Sequence, residues 1–321
     1  MKRMLSVALT LLCILTLMCG VGCSAGEHPT AENIISYLKR TDYLDFNITQ
    51  TTRDLSLKWQ SSELEFADVK ILKVSTEDNG LTVVDCAVTI ENEIMEIVRH
   101  LRLRCKNEAL GWSFKECVHI SKNDWILKLT IPETESYSIG AEVFKDYDEL
   151  THIVIPDTIT EIGAFAFENC SNLQQVIISQ QVTVFPTGIF KNCPRLESIN
   201  FSDDAELFFK ECFMGCTSLK LDKLPDSAIF LGSNAFADCP QLLETLKIPD
   251  VTQEILDGAF RNCTALKKVQ IGKGMFSLGS AAFEGCTNLN SITVSSANTF
   301  MKMEGSTLVS LKDGSVILQL Q

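Results

Sequence analysis

The sequence predicts a chain in two parts, a small α+β domain over residues 30–130 and a repeat solenoid over residues 131–321. Two observations predict the solenoid. Phe-x-x-Cys recurs six times between Phe167 and Cys286, at intervals of 23 or 24 residues, and a leucine stands three residues after each of these cysteines. A third observation separates the two parts, because residues 30–130 contain no copy of this repeat.

Each repeat unit supplies the same set of apolar positions. Most units continue after the leucine with two apolar residues separated by one, such as Val176 and Ile178, which is typical of a short strand. A unit of this length cannot bury its own apolar face, so we expect the coils to stack with their strands in one parallel sheet. The repeated residues are Phe167, Cys170 and Leu173; Phe190, Cys193 and Leu196; Phe213, Cys216 and Leu219; Phe236, Cys239 and Leu242; Phe260, Cys263 and Leu266; Phe283, Cys286 and Leu289.

The two ends of the solenoid have their own patterns. Phe144 and Tyr147 occupy the Phe and Cys positions one repeat length before the first complete unit, which makes about seven 23-residue units in all. The repeat stops before Phe300. The segment Phe300 to Leu320 alternates apolar and polar residues around the turn glycines Gly305 and Gly314, and this predicts a β-hairpin C-terminal cap.

The consensus of the units, Ile-Gly-x-x-Ala-Phe-x-x-Cys-x-x-Leu-x-x-Val-x-Ile-Pro, resembles the BspA-like, or treponemal-type, leucine-rich repeats of bacterial surface proteins. The segment Glu161 to Cys170 carries it most completely. The resemblance covers about residues 130 to 320. It implies a leucine-rich-repeat solenoid in a surface protein that binds host matrix glycoproteins, other cells or other bacteria. Departures from the consensus are expected to change local curvature, and they are Pro186, Phe209, Asp222 and an extra residue before Ile248.

The N-terminus has the layout of an export signal. Lys2 and Arg3 precede an apolar run and small residues, so residues 1–22 are predicted to be a signal peptide. Gly20-Val21-Gly22-Cys23 resembles a bacterial lipobox, in which the cysteine is lipidated, although Gly20 replaces the usual leucine. The resemblance implies a protein anchored to the cell membrane through Cys23, facing the extracellular side, with residues 23–29 as a polar tether. A free secreted product is the alternative.

Residues 30–130 predict a helix packed on an antiparallel meander. Ala31 to Arg40 has helical spacing of its apolar residues, with Thr30 as N-cap. Four candidate strands follow, separated by turn-like segments. They are Phe66 to Val74, Leu81 to Ile90, Met95 to Arg104 and Trp112 to Ile120.

The same domain contains residues that a metal or thiol-histidine site would need. They are His100, His119, Cys86, Cys105 and Cys117. No Cys-x-x-Cys, His-Glu-x-x-His or Gly-x-Ser-x-Gly motif accompanies them, so we predict no metal site, no cofactor and no enzyme activity. A disulfide among the three cysteines stays open, because sequence cannot choose the pair.

The repeat cysteines favour packing over redox chemistry. One cysteine per coil at a fixed position is explained by a small buried apolar side chain, and coil stacking does not supply the torsion that a disulfide needs. Cys212, just before the repeat Phe, occupies a position where other units have alanine, valine or isoleucine. We therefore expect reduced thiols throughout the solenoid.

The strand alternation predicts a binding face. If Val176 and Ile178 point inward, the residues between and before them point outward, and the same offset gives two rows of outward positions. Lys223, Lys247 and Lys268 would then form a basic stripe that suits an acidic patch on a partner, unless these are merely solvated positions. One row is Val154, Ile177, Asn200, Lys223, Lys247, Gln270 and Thr293, and the other is His152, Gln175, Ser198, Leu221, Thr245, Lys268 and Ser291.

The charge narrows the choice of partner. A formal net charge of -13 argues against nucleic acid as a ligand, because its phosphates would be repelled. Solenoids present many side chains without a catalytic pocket, so we predict a surface binding or adhesion protein for an extracellular protein or glycan, such as a host matrix glycoprotein. The alternative is a structural spacer or envelope scaffold that presents the N-terminal domain.

Overall fold

The computed structural model describes residues 28–41, 46–49, 56–59, 65–91, 95–109, 111–120, 125–131 and 138–320. It begins with helix α1 (Ala31–Leu38), whose N-cap is Thr30 as predicted. The hydroxyl oxygen of Thr30 accepts a hydrogen bond from the amide of Asn33, and the Asn33 side chain accepts one from the amide of Thr30. This reciprocal capping satisfies two helix-end donors. Ile34 and Leu38 face the core and are fully buried.

The described strands between α1 and the solenoid are β1 (Phe46–Thr49), β2 (Ser56–Trp59), β3 (Phe66–Thr76), β4 (Thr82–Glu91), β5 (Met95–Glu108), β6 (Gly111–His119) and β7 (Trp125–Thr130). Strands β3, β4 and β5 pair in sequence, while β6 and β7 both pair with β5 along different parts of its length. Strands β3 to β6 form the predicted antiparallel meander. The separate hairpin β1–β2 and strand β7 were not predicted.

The repeat units form a solenoid with two parallel strands in most coils. The predicted strand after the leucine forms β9 (His152–Val154), β11 (Gln175–Ile177), β13 (Ser198–Ile199), β16 (Thr245–Lys247), β18 (Lys268–Ile271) and β20 (Ser291–Val294). A second, two-residue strand forms on another side of the coil. These strands are β8 (Ser138–Ile139), β10 (Glu161–Ile162), β12 (Val184–Phe185), β14 (Leu207–Phe208), β15 (Phe230–Leu231), β17 (Glu254–Ile255) and β19 (Ser277–Leu278).

One sheet joins the N-terminal meander to the solenoid. Strand β7 pairs in parallel with β9, with Leu129 opposite Ile153, so β3, β4, β5, β7, β9, β11 and β13 follow one another in a single sheet. Arg99 on β5 also forms an ion pair of 2.8 Å with Glu149 of the first coil. The sheet therefore crosses the position between residues 130 and 131, and the predicted division into two domains there stays a prediction.

The interior of the solenoid consists of aligned columns of identical side chains. The repeat phenylalanines from Phe144 to Phe283 stack coil on coil, with ring centroids 5.1 to 5.7 Å apart. They are at most 5% exposed. The six repeat cysteines and Cys212 are buried beside them as free thiols, as predicted. Stacked aromatic rings and small apolar side chains thus fill the axis of the solenoid.

A second column sets the shape of each turn. The residue before each repeat cysteine, or before Tyr147, has a positive φ between 57° and 78°. Asn, Asp and Gly adopt this conformation at the lowest cost, and they are the residue types found in this column. Side-chain hydrogen bonds link some neighbours, such as Asn169 to Asp146 at 2.7 Å. The column is Asp146, Asn169, Asn192, Gly215, Asp238, Asn262 and Gly285.

The C-terminal cap contains the predicted hairpin and a third strand. Strands β21 (Met301–Glu304), β22 (Thr307–Ser310) and β23 (Val316–Gln319) form one antiparallel sheet. Asn298 attaches this sheet to the last coils. Its buried side chain donates to the carbonyl oxygens of Gly272 and Met275 and accepts from the amide of Met301.

Candidate binding face

The two predicted outward rows lie side by side on the first solenoid sheet, which comprises the strands that follow the repeat leucines, β9, β11, β13, β16, β18 and β20. Gln175 is opposite both His152 and Ser198, while Lys268 is opposite both Thr245 and Ser291. In the other row, Val154 is opposite Ile177, and Lys247, Gln270 and Thr293 are aligned. The residues between the rows are buried in every coil except that of residues 219–224, and the outward residues are exposed or half-buried.

The sheet is interrupted at the coil of residues 219–224, and this corrects the prediction for Lys223. Neither Leu221 nor Lys223 belongs to a strand. Asp222 occupies the position where neighbouring coils place a buried apolar residue, and its side chain is exposed. Because burying an unpaired carboxylate is costly, the segment does not lie flat on the core. The first solenoid sheet therefore consists of two parts, of which one ends at β13 and the other begins at β16.

The lysines of the predicted stripe differ in their surroundings. Lys223 forms an ion pair with Asp226, with Nζ 2.6 Å from Oδ2, so its charge is locally compensated. Lys247 and Lys268 stand on adjacent strands, are exposed, and have no ion-pair partner among the described residues. The predicted stripe is therefore interrupted, because Lys223 lies off the sheet while Lys247 and Lys268 stand together on β16 and β18. The role of these lysines in binding stays a prediction.

Asn200 is partly engaged in the sheet itself. Its side-chain oxygen accepts a hydrogen bond of 2.8 Å from the amide of Ile178, and its side-chain nitrogen lies 3.3 Å from the carbonyl oxygen of the same residue. The side chain thus replaces a main-chain ladder bond at the end of β13. Ile177, by contrast, is 44% exposed and is the largest apolar side chain on this part of the face.

The thiols of the N-terminal domain are structural in this geometry. Cys86, Cys105 and Cys117 are buried and free, with no disulfide among them. Burial raises the pKa of Cys105 to about 11 and of the other two to about 12, so all three stay protonated at neutral pH. The side chain of His119 lies outside the described residues. Within the described part of the chain, no three His, Cys, Asp or Glu side chains gather as metal ligands.

The predicted signal peptide, Cys23 and most of the tether lie outside the described residues. Where the structure describes the chain, none of its helices has both the length and the hydropathy of a membrane span.

The comparisons with solved structures return bacterial proteins, among them two described as leucine rich. A leucine rich cell surface protein from Faecalibacterium prausnitzii A2-165 is 23% identical, with a TM-score of 0.49, over 69% of this chain and 58% of that one. The leucine rich repeat protein of T. pallidum is 20% identical, with a TM-score of 0.37, over 59% and 78% of the two chains. The pneumococcal vaccine antigen PcpA is 18% identical, with a TM-score of 0.27, over 71% of each. No curated protein matches the sequence.

The family comparison covers more than half of the chain. The model of the BspA type leucine rich repeat region matches six copies, over residues 113–242 and 190–306. These residues include the columns of phenylalanine, cysteine and leucine and both solenoid sheets. The chain therefore belongs to the BspA-type leucine-rich repeat family.

Proposed function

We propose that this chain is an exported, lipid-anchored surface protein that binds an extracellular protein or glycan through the first solenoid sheet. The observation that supports this function most is the exposed face of β16, β18 and β20. Its outward residues are polar or basic, while every inward residue is part of the core. A rigid sheet that presents unpaired side chains in register is suited to binding, because its contact residues are already ordered.

Lys247 and Lys268 give this face its electrostatic character. Both carry exposed charges on a protein of net charge -13. A local reversal of charge steers a partner with acidic groups and disfavours other orientations. Sialylated or sulfated glycans and acidic protein surfaces are the ligand classes that fit, and host matrix glycoproteins carry both.

The experiment is a binding measurement with the purified full chain immobilised through its C-terminus. The probes are purified host matrix glycoproteins, each measured before and after enzymatic removal of its glycans. We expect at least one probe to bind, with an affinity that falls as salt concentration rises. Lack of binding to every probe, together with no binding to bacterial surface extracts, would contradict the proposed function.

One observation favours a second function as a spacer. The continuous sheet from β3 to β13 and the ion pair between Arg99 and Glu149 join the N-terminal meander to the first coils. A solenoid that is attached in this way would keep a fixed position relative to the meander, as a structural spacer or scaffold requires. Binding by the chain after its N-terminal meander has been blocked with an antibody separates the two functions.

A further inference from the structure

The interruption of the first solenoid sheet leaves two strand edges with unpaired main-chain groups. Successive residues of a strand direct their peptide groups to opposite neighbours. The main-chain N–H and C=O groups of Ser198 and Asn200 point toward β11. Those of Ile199, between them, therefore face the interruption. In the same way, those of Thr245 and Lys247 face it from β16. None of these groups has a hydrogen-bond partner within residues 138–320, all of which are described.

The coil between the two edges keeps its place in the stack. Leu219 and Leu224 are buried like their counterparts in other coils. The sheet of two-residue strands on the other side of the coils passes through this coil without interruption, because β15 pairs with both β14 and β17. Only the segment between the two leucines leaves the sheet. Its last ladder bond to β13 is from the amide of Lys220 to the carbonyl oxygen of Glu197, after which the amide of Leu221 bonds to Leu242 instead.

A groove results between β13 and the displaced segment. It has a volume of 560 Å³, and Ile199, Phe201 and Leu221 supply its apolar lining. The charged residues around it are mainly acidic. Glu197, Asp203 and Asp222 are exposed and form no ion pair with any described residue, Lys223 is held by Asp226, and Lys220 is the remaining base.

We propose that this groove binds an extended basic segment of a partner protein, which adds to the edge of β13 as a further strand. The main-chain groups of Ile199 would supply sequence-independent hydrogen bonds, and the apolar lining would receive alternate side chains of the peptide. The acidic residues select lysine or arginine at the intervening positions. This inference rests on the proposed function as a binding protein and specifies one class of partner, a protein segment and not a glycan.

The test uses fluorescence anisotropy of labelled peptides with the purified full chain. The probe is a peptide of about nine residues that alternates lysine and valine, a length typical of a strand. Three comparison peptides are used. One replaces every lysine by glutamate, and the other two carry N-methyl groups on every second residue, one in each of the two registers. We expect the lysine peptide to bind and the glutamate peptide to bind at least about tenfold more weakly. One N-methylated register should lose binding to the same extent, because it lacks the N–H groups that face β13.

The decisive variant is Asp222→Val. Valine restores the apolar strand position, so residues 221–223 should pair with β13 and close the groove, with loss of peptide binding and no loss of fold. Asp68→Val, at an exposed position of β3, is the matched control and should bind like the unmodified chain. If circular dichroism shows that Asp222→Val is unfolded, the double variant Glu197→Lys and Asp203→Lys replaces it, and loss of binding is again expected.

Two results would overturn the inference. One is that Asp222→Val leaves the binding of the lysine peptide unchanged. The other is that both N-methylated peptides bind as strongly as the lysine peptide does. Failure of the peptide to bind at all also removes the groove as a site. The proposed function is judged separately, because it depends on matrix glycoproteins and on Lys247 and Lys268, which do not line the groove.

Discussion

The thiol of Cys239 donates a hydrogen bond to the carbonyl oxygen of Phe213 in the preceding coil, across 3.2 Å. The other five repeat cysteines make the same bond to the repeat phenylalanine one coil earlier, at 3.0 to 3.2 Å. Cysteine therefore has two roles in this family member. It fills a small apolar space, and it supplies a weak donor to a buried carbonyl group.

The buried thiols predict a loss of stability at alkaline pH. An unfolded thiol has a pKa of about 8.5, whereas burial holds the pKa of Cys193, Cys216 and Cys239 well above that value. Above pH 8.5 the unfolded chain releases protons that the folded chain retains. The free energy of unfolding should thus fall by about 1.4 kcal/mol per buried thiol for each pH unit, and the effect is absent below about pH 8.

Urea unfolding at about pH 7.5 and about pH 9.5 measures this dependence. Cys216→Ala is the matched variant. It should be less stable than the unmodified chain at the lower pH but should have a shallower pH dependence, since one titrating group is missing. Identical slopes for the two proteins would show that the thiols do not cause the alkaline loss.

Phe236→Ala should destabilise the solenoid by about 3 to 5 kcal/mol, because it leaves a cavity between two neighbouring coils. The Phe236 ring stacks between Phe213 at 5.2 Å and Phe260 at 5.7 Å and is fully buried. Chemical denaturation gives the free energy of unfolding. The control is Phe209→Ala, at a position that is 39% exposed, for which we expect a loss below about 1 kcal/mol. Equal effects of the two changes would contradict the stacked column.

The double variant Lys247→Glu and Lys268→Glu should weaken binding of the matrix glycoprotein probe and leave the fold intact. Exposed residues of this kind change stability by about 0.5 kcal/mol or less each. Lys223→Glu is the control, since Lys223 is already paired with Asp226 and lies off the sheet. Binding assays at two salt concentrations measure the difference. If Lys223→Glu weakens binding as much as the double variant does, the binding face is not the one on β16 and β18.

Cys23→Ser should release the chain from the membrane into the medium, because the predicted anchor is a lipid on that thiol. Fractionation of the producing cells, with immunodetection of the chain, measures the distribution. Cys19→Ser, within the predicted signal peptide, should leave the chain in the membrane fraction. Membrane retention of the Cys23→Ser protein would show that another part of the chain holds it there.

The parts of the fold that follow from core packing were predictable from the sequence. The solenoid, its coil number and its inward columns follow from the recurrence of Phe, Cys and Leu, since a stacked core admits only certain residues at those positions. The helix start at Thr30 was predictable because capping is a local interaction.

Features that depend on main-chain conformation or on distant partners were not predicted. The two-residue strands, such as β14, are too short to produce an alternating pattern. The pairing of β7 with β9 joins residues that belong to different sequence patterns, and periodicity carries no information about it. Asp222 was recognised as a departure from the repeat, but the outward row was extended through it to Lys223. The carboxylate in fact displaces its whole segment from the sheet.

The pairing of β7 with β9 also bears on how the chain assembles. The N-terminal meander precedes every coil along the chain, and its strand β7 offers an ordered edge to the first coil. Each later coil then finds the preceding one already in place, so the solenoid can grow in one direction on a finished template. Assembly in this order keeps the number of exposed strand edges small at every stage, which limits intermolecular pairing while the chain folds.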